Sequence, residues 1–134
     1  MKQTRNVAAL AGRIMLALMF VLAGFGKIAG FADTTATMTG AGLPFVNVLL
    51  VLTILIELGG GAAIMLGWKT RPIALVVLLF TALATVVFHA FWAAPPDRVM
   101  LQQLMFMKNV SVMGGLLVLY AFGPGDYALD DRRD

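Results

Sequence analysis

Six side chains stand out of keeping with the apolar stretches that hold them: Arg13, Lys27, Glu57, His89, and the adjacent Lys108 and Asn109. A carboxylate or an imidazole can carry a proton, an ammonium can hold an anionic or carbonyl oxygen, and an amide can orient either. A charged group at the centre of an apolar helix costs roughly 2.5 to 3.5 kcal/mol, so such groups are expected to face one another or a ligand. Helical spacing places Thr53, Gly60 and Gly61 beside Glu57, Thr81 and Thr85 on the His89 face, and Ser111 and Gly115 on the Lys108 face. Facing one another, these stripes would form a polar interior suited to a ligand with a polar head and an apolar body. The bland alternative is structural. Glu57 then pairs with Lys108 or Arg13, the former being the expected partner; His89 is an interfacial histidine near Phe88, Phe91 and Trp92; and Lys27 snorkels to the head groups.

Several chemistries are excluded. With one histidine and no cysteine the chain supplies no disulfide, thiol relay, zinc site or paired haem ligands, so no metal site is expected. No GxSxG, phosphate-loop or dinucleotide fingerprint occurs, and the Gly59-Gly60-Gly61 run lies inside an apolar stretch. No self-contained catalytic motif remains, and a cofactor or partner would have to carry any redox chemistry. The net charge of +3 comes mostly from basic residues near helix ends, which suits an anionic bilayer face and not a nucleic acid.

The elements that must position these residues follow from hydropathy. Of the 134 residues 60% are apolar and 13% charged, too little polar surface for a soluble domain of this size. A span needs about 20 mostly apolar residues, and residues 7–26, 45–68, 72–94 and 100–122 meet that length. The expectation is an all-α membrane protein, a four-transmembrane-helix antiparallel bundle forming one domain over residues 1–134. A secretory-signal reading of the first run is set aside, because Arg13 interrupts it. Residues 31–44 are polar, with Thr, Gly and Pro, and predict a loop able to hold a short surface helix. Pro72 is expected at a first helical position, and the short 67–71 connection makes the second and third spans a hairpin.

Four spans place both termini on one side. Lys2, Arg5, Arg13, Lys69, Arg71, Arg132 and Arg133 fall on that side, against Lys27, Arg98 and Lys108 on the other, which predicts cytoplasmic termini. Gly59, Ala63 and Gly67, and Gly26 with Gly30, share the four-residue spacing that lets helices approach closely.

Four stretches together resemble the DoxX family of small bacterial membrane proteins: FVLAGFGKIAGF (20–31), IELGGGAAIMLGWKTRP (56–72), FHAFW (88–92) and QQLMFMKNVSVMGGLLVLYAFGPGDYALD (102–130). The resemblance implies a multi-pass protein of the bacterial inner membrane, with some relatives tied to quinone-linked thiosulfate oxidation and others to oxidative-stress complexes. It also implies that Lys27, Glu57, His89, Lys108 and Asn109 are the recurring polar positions. Three functions compete. The first is a quinone-linked or redox-complex membrane subunit with a membrane or soluble oxidoreductase partner. The second is a non-catalytic assembly or anchor protein, and the third a small transporter or proton pathway with Glu57 as carrier.

Overall fold

A computed structural model describes residues 1–130 of the chain, and among these it is all helix, turn and loop. Helix α1 spans Lys2–Ala29 and the short α2 spans Phe31–Gly40. The second span is continuous but composite: α3 (Val46–Ile54), a π-helical turn (Leu55–Gly60) and α4 (Gly61–Leu66). Helix α5 covers Thr70–Phe88, a 3-10 turn Phe91–Ala93, and α6 Val99–Phe122. Four of these segments are long and apolar enough to cross a membrane: Lys2–Ala29, Val46–Leu66, Thr70–Ala93 and Val99–Phe122.

Local chemistry sets the boundaries. At about 1.5 Å per residue the 28-residue α1 is about 42 Å long, more than the roughly 30 Å of a hydrocarbon core, so its first turns with Lys2, Arg5 and Asn6 project beyond it. Pro44 precedes Phe45, whose left-handed φ of 50° turns the chain into α3. Gly67, at φ 69°, ends α4: its N–H reaches Ile64 O at 3.2 Å and that of Trp68 reaches Ala63 O at 2.9 Å, the double closure of a left-handed C-cap. Helix α5 starts at Thr70, two residues before Pro72. The proline therefore sits third in the helix, where its missing N–H is still one of the four that lack an intrahelical acceptor. The polar interval after α1 does hold a short helix, α2, which buries Met38.

Helix α6 packs along α5, and α1 along the second span, while α1 and α6 touch over a short stretch only. The core is narrow: Ala17, Phe20, Ile64, Ala74, Val77, Leu116 and Leu119. Leucines, valines and phenylalanines on every spanning helix point outward instead, as expected where lipid is the solvent.

The close helix approaches fall at other glycines than spacing alone suggests. A Cβ on Gly61 would lie 2.8 Å from Val21 Cγ2 and 3.3 Å from the Ala17 carbonyl, and one on Gly24 would lie 2.6 Å from Leu58 Cγ. Nothing lies within 4 Å of such an atom on Gly59 or Gly26, Gly30 meets only the carbonyl of Gly26, and Gly67 is a turn residue. The π-helical turn explains the shift. It inserts an extra residue at 55–60 and rotates everything after it, so a four-residue count across the turn does not follow one face.

Candidate functional site

The π-helical turn presents Glu57 to the end of α1. Lys27 Nζ lies 3.0 Å from Glu57 Oε1 and 3.0 Å from Oε2, with side chains 27% and 8% exposed. This corrects the expected Glu57–Lys108 pairing. The carboxylate turns toward α1, and its counter-charge is the residue that was expected to snorkel away. A π-turn leaves backbone groups imperfectly paired and persists where a side chain must be aimed; here it aims a carboxylate within a membrane span.

His89, Asn109 and the α5 threonines form a second polar cluster along the α5–α6 seam. His89 Nδ1 and Gln102 Oε1 are 2.8 Å apart, so the tautomer protonated at Nδ1 donates to the amide oxygen. Deeper in the seam, Asn109 Nδ2 donates to Thr85 Oγ1 at 2.9 Å, Thr85 Oγ1 donates to Thr81 O at 2.6 Å, and Thr81 Oγ1 donates to Val77 O at 2.7 Å. Asn109, Thr81 and Thr85 are all buried. Phe91, Trp92 and Phe106 pack edge to face beside this seam, with ring centroids 5.3 to 5.9 Å apart. Gln102 belongs to the site although sequence reasoning passed over it; a polar residue in the first turn of a helix reads as an ordinary helix end.

Lys108 stands apart from both clusters. It is exposed and has no ion-pair or hydrogen-bond partner among the described residues. It lines a lateral groove of about 920 Å³ between α1 and α6, with Gly12, Leu16, Met19, Ser111, Gly115 and Val118 among the walls. Ser111 and Gly115, placed on the Lys108 face by spacing, are both there. Counting from the ends of α6, Lys108 is about 14 Å from Val99 and about 21 Å from Phe122, near the middle of the span.

Arg13 anchors the opposite end. It is 2% exposed, and its guanidinium donates to Pro124 O at 2.8 Å, Tyr127 O at 2.6 Å and Met65 O at 3.4 Å. Residues 123–130 thereby fold back as a strap across the ends of α1, α4 and α5. Leu129 N–H reaches Leu66 O at 3.1 Å and Asp130 N–H reaches Gly67 O at 2.7 Å. The Asp130 carboxylate accepts from the backbone N–H groups of Lys69 and Thr70, capping α5 from outside its own sequence. Burial alone would push this carboxyl up, but the hydrogen bonds from Thr70 and Lys69 and the nearby Arg13 charge together hold it below the usual carboxylate value. Asn6 and Lys2 tie Asp126 to α1 at 3.0 and 3.4 Å. Neither Arg13 as an anchor nor the strap was predicted, because carbonyl acceptors leave no mark on a sequence.

The sequence is matched by known proteins. The DoxX family pattern fits residues 8–90. The chain belongs to the DoxX family. Inner membrane protein YqjF of Escherichia coli is 42% identical to this DoxX-family chain over 130 residues, covering 97% of the chain and 95% of YqjF. Inner membrane protein YphA of the same organism is 34% identical over 128 residues, covering 96% and 91% respectively. A Surfeit locus protein 4 homolog of Schizosaccharomyces pombe is 26% identical over 131 residues, which span 96% of this chain and 38% of that larger protein. No solved structure matches.

Proposed function

We propose that this DoxX-family protein is a membrane subunit of a quinone-linked redox assembly and that the α1/α6 groove seats the quinone ring. The observation that carries the reading is Lys108: an exposed ammonium in mid-span, without a partner among the described residues, in an otherwise mostly apolar groove. Leaving it against hydrocarbon costs roughly 2.5 to 3.5 kcal/mol, which an oxygen-bearing ligand head would relieve. Phospholipid head groups do not reach that depth, whereas the head of a lipophilic quinone does.

In this reading Lys108 donates to a ring carbonyl and stabilises negative charge as it grows on that oxygen during reduction. Ser111 Oγ already donates to Met107 O at 3.1 Å, which leaves its oxygen free to accept from the hydroxyl of the reduced ring. Reduction of quinone to quinol would consume two electrons and two protons, the protons coming from the aqueous phase. The chain has no cysteine, so a partner oxidoreductase supplies the electrons. The names of YqjF and YphA support an inner-membrane location.

A second reading, a non-catalytic assembly protein, draws on the other polar positions. Lys27 and Glu57 neutralise each other, His89 is held by Gln102, and Asn109 by Thr85, so these groups already have uses inside the bundle. Gentle purification followed by lipid extraction decides between the two. Quinone close to one per chain in the wild type, lost in Lys108→Met with the fold intact, supports the first. Its absence from native preparations would leave the assembly reading.

A further inference from the structure

At the strap end of the bundle, α1, the start of α5 and the strap enclose an open recess of about 1110 Å³, and Arg5, Lys69 and Arg71 contribute cations to its wall. Its two carboxylates are already engaged: Asp126 with Asn6 and Lys2, and Asp130 with the amides of Lys69 and Thr70 and the charge of Arg13. Setting Lys2 and Arg13 against those two carboxylates leaves Arg5, Lys69 and Arg71 without an acidic partner among the described residues. The Arg71 guanidinium lies beside the end of α6. Its Nε and Nη2 lie 3.5 Å from where a Cβ on Gly123 would stand, so a cation sits where that helix presents its unpaired carbonyls.

We propose that this recess binds the phosphoryl head of an anionic phospholipid. A planar guanidinium on α5 and a second on α1, with the Lys69 ammonium on the same wall and 5.3 Å from the Trp68 ring centroid, match the several oxygens of a phosphodiester, which neutral head groups with their own cation do not offer as a net charge. The apolar boundary identifies a lipid as the source of the phosphate. Phe122 is 82% exposed on the rim, and Ala9, Phe122 and Gly123 belong both to the recess and to the foot of the α1/α6 groove. A head group in the recess therefore has its chains continuous with the apolar flank of the bundle, whereas free phosphate would leave that flank unused. The head-group site rests on other residues than the quinone reading, with Lys108 about 21 Å along α6 from Phe122, although the two sites share the foot of the groove.

The test uses the full chain in a neutral detergent with phosphatidylglycerol, phosphatidylcholine or inorganic phosphate added, read by thermal unfolding and by native mass spectrometry. Phosphatidylglycerol should raise the melting temperature above the phosphatidylcholine value and remain bound as a discrete adduct. Both effects should disappear in Arg5→Gln/Arg71→Gln, weaken in Arg5→Lys/Arg71→Lys, which keeps the charge but not the fork, and persist in Arg98→Gln, which removes a cation from the other end. Should the double glutamine variant fold poorly, Arg5→Gln alone, at an exposed position, should weaken the adduct. Equal shifts with both lipids, or an unchanged adduct in the glutamine variants, would overturn the site. A full shift with phosphate alone would overturn the lipid assignment.

Discussion

Replacing one member of the Lys27–Glu57 pair should harm the fold unequally depending on which is removed. Lys27→Met strands a carboxylate whose side chain is 8% exposed and has no second cation beside it, so the loss belongs within the 3 to 5 kcal/mol typical of a broken buried pair, about 4 kcal/mol. Glu57→Gln leaves an amide oxygen that still accepts a hydrogen bond, and Lys27, 27% exposed and near the end of α1, can turn its ammonium toward the head groups, so about 2 kcal/mol is expected. The double variant Lys27→Met/Glu57→Gln strands neither charge and should cost about 1 to 3 kcal/mol less than the sum of the two. Chemical unfolding of the four proteins in mixed micelles, followed by tryptophan fluorescence, measures the cycle. Glu57→Gln combined with Lys108→Met serves as the comparison and should be additive. Additivity between Lys27 and Glu57, or coupling between Glu57 and Lys108, would refute the assignment of the pair and the role given to the π-helical turn.

Arg13→Lys should release the strap, because a point charge cannot reach three carbonyls set around a planar fork; faster proteolysis within residues 124–130, with α1 to α6 intact, is the readout. Asp130 has a folded-state value below its unfolded one, so its stabilisation is present above about pH 4 and is lost as pH falls through the lower folded value; Asp130→Asn should remove that dependence and cost about 1 kcal/mol in pH-resolved melting, because its single amide oxygen replaces two carboxylate oxygens that accept from Lys69 and Thr70. Gly61→Ala should destabilise by about 1 to 3 kcal/mol by pressing on Val21 and the Ala17 carbonyl, while Gly59→Ala, with open space around it, should be neutral or gain about 0.5 kcal/mol, as chemical unfolding would show. Reporter fusions after Arg133 should be active only with a cytoplasmic reporter; activity of a periplasmic one would reverse the orientation drawn from the basic residues.

The four spans and the identity of the odd polar residues were legible because insertion into lipid is decided by local composition, which a sequence displays directly. Their pairing was not. Glu57 was read on a regular helix, whereas it lies in a π-helical turn and meets Lys27 at the end of α1. Ser111 and Gly115 kept company with Lys108 because α6 is an uninterrupted α-helix, so spacing along it holds. His89 had its face read from Thr81 and Thr85, yet its partner Gln102 comes from the next helix across a proline turn, a contact no periodicity within α5 can supply. The strap was not legible because its role depends on main-chain carbonyls, and every residue type carries one.

The hydrogen bonds of Arg13 also order events during synthesis. Two of its three acceptors lie 111 and 114 residues further along the chain. At roughly 5 to 20 residues per second, the guanidinium waits on the order of 6 to 20 s after its own emergence before Tyr127 exists to receive it. Throughout that interval α1 must be held with an unsatisfied cation near its entry end, resting at the water boundary or against an insertion factor. Final seating of the first helix is therefore a late step, set by Pro124 and Tyr127. A ribosome that stalls before Pro124 would release helices that can already span the bilayer but lack the contacts that lock the first of them in place.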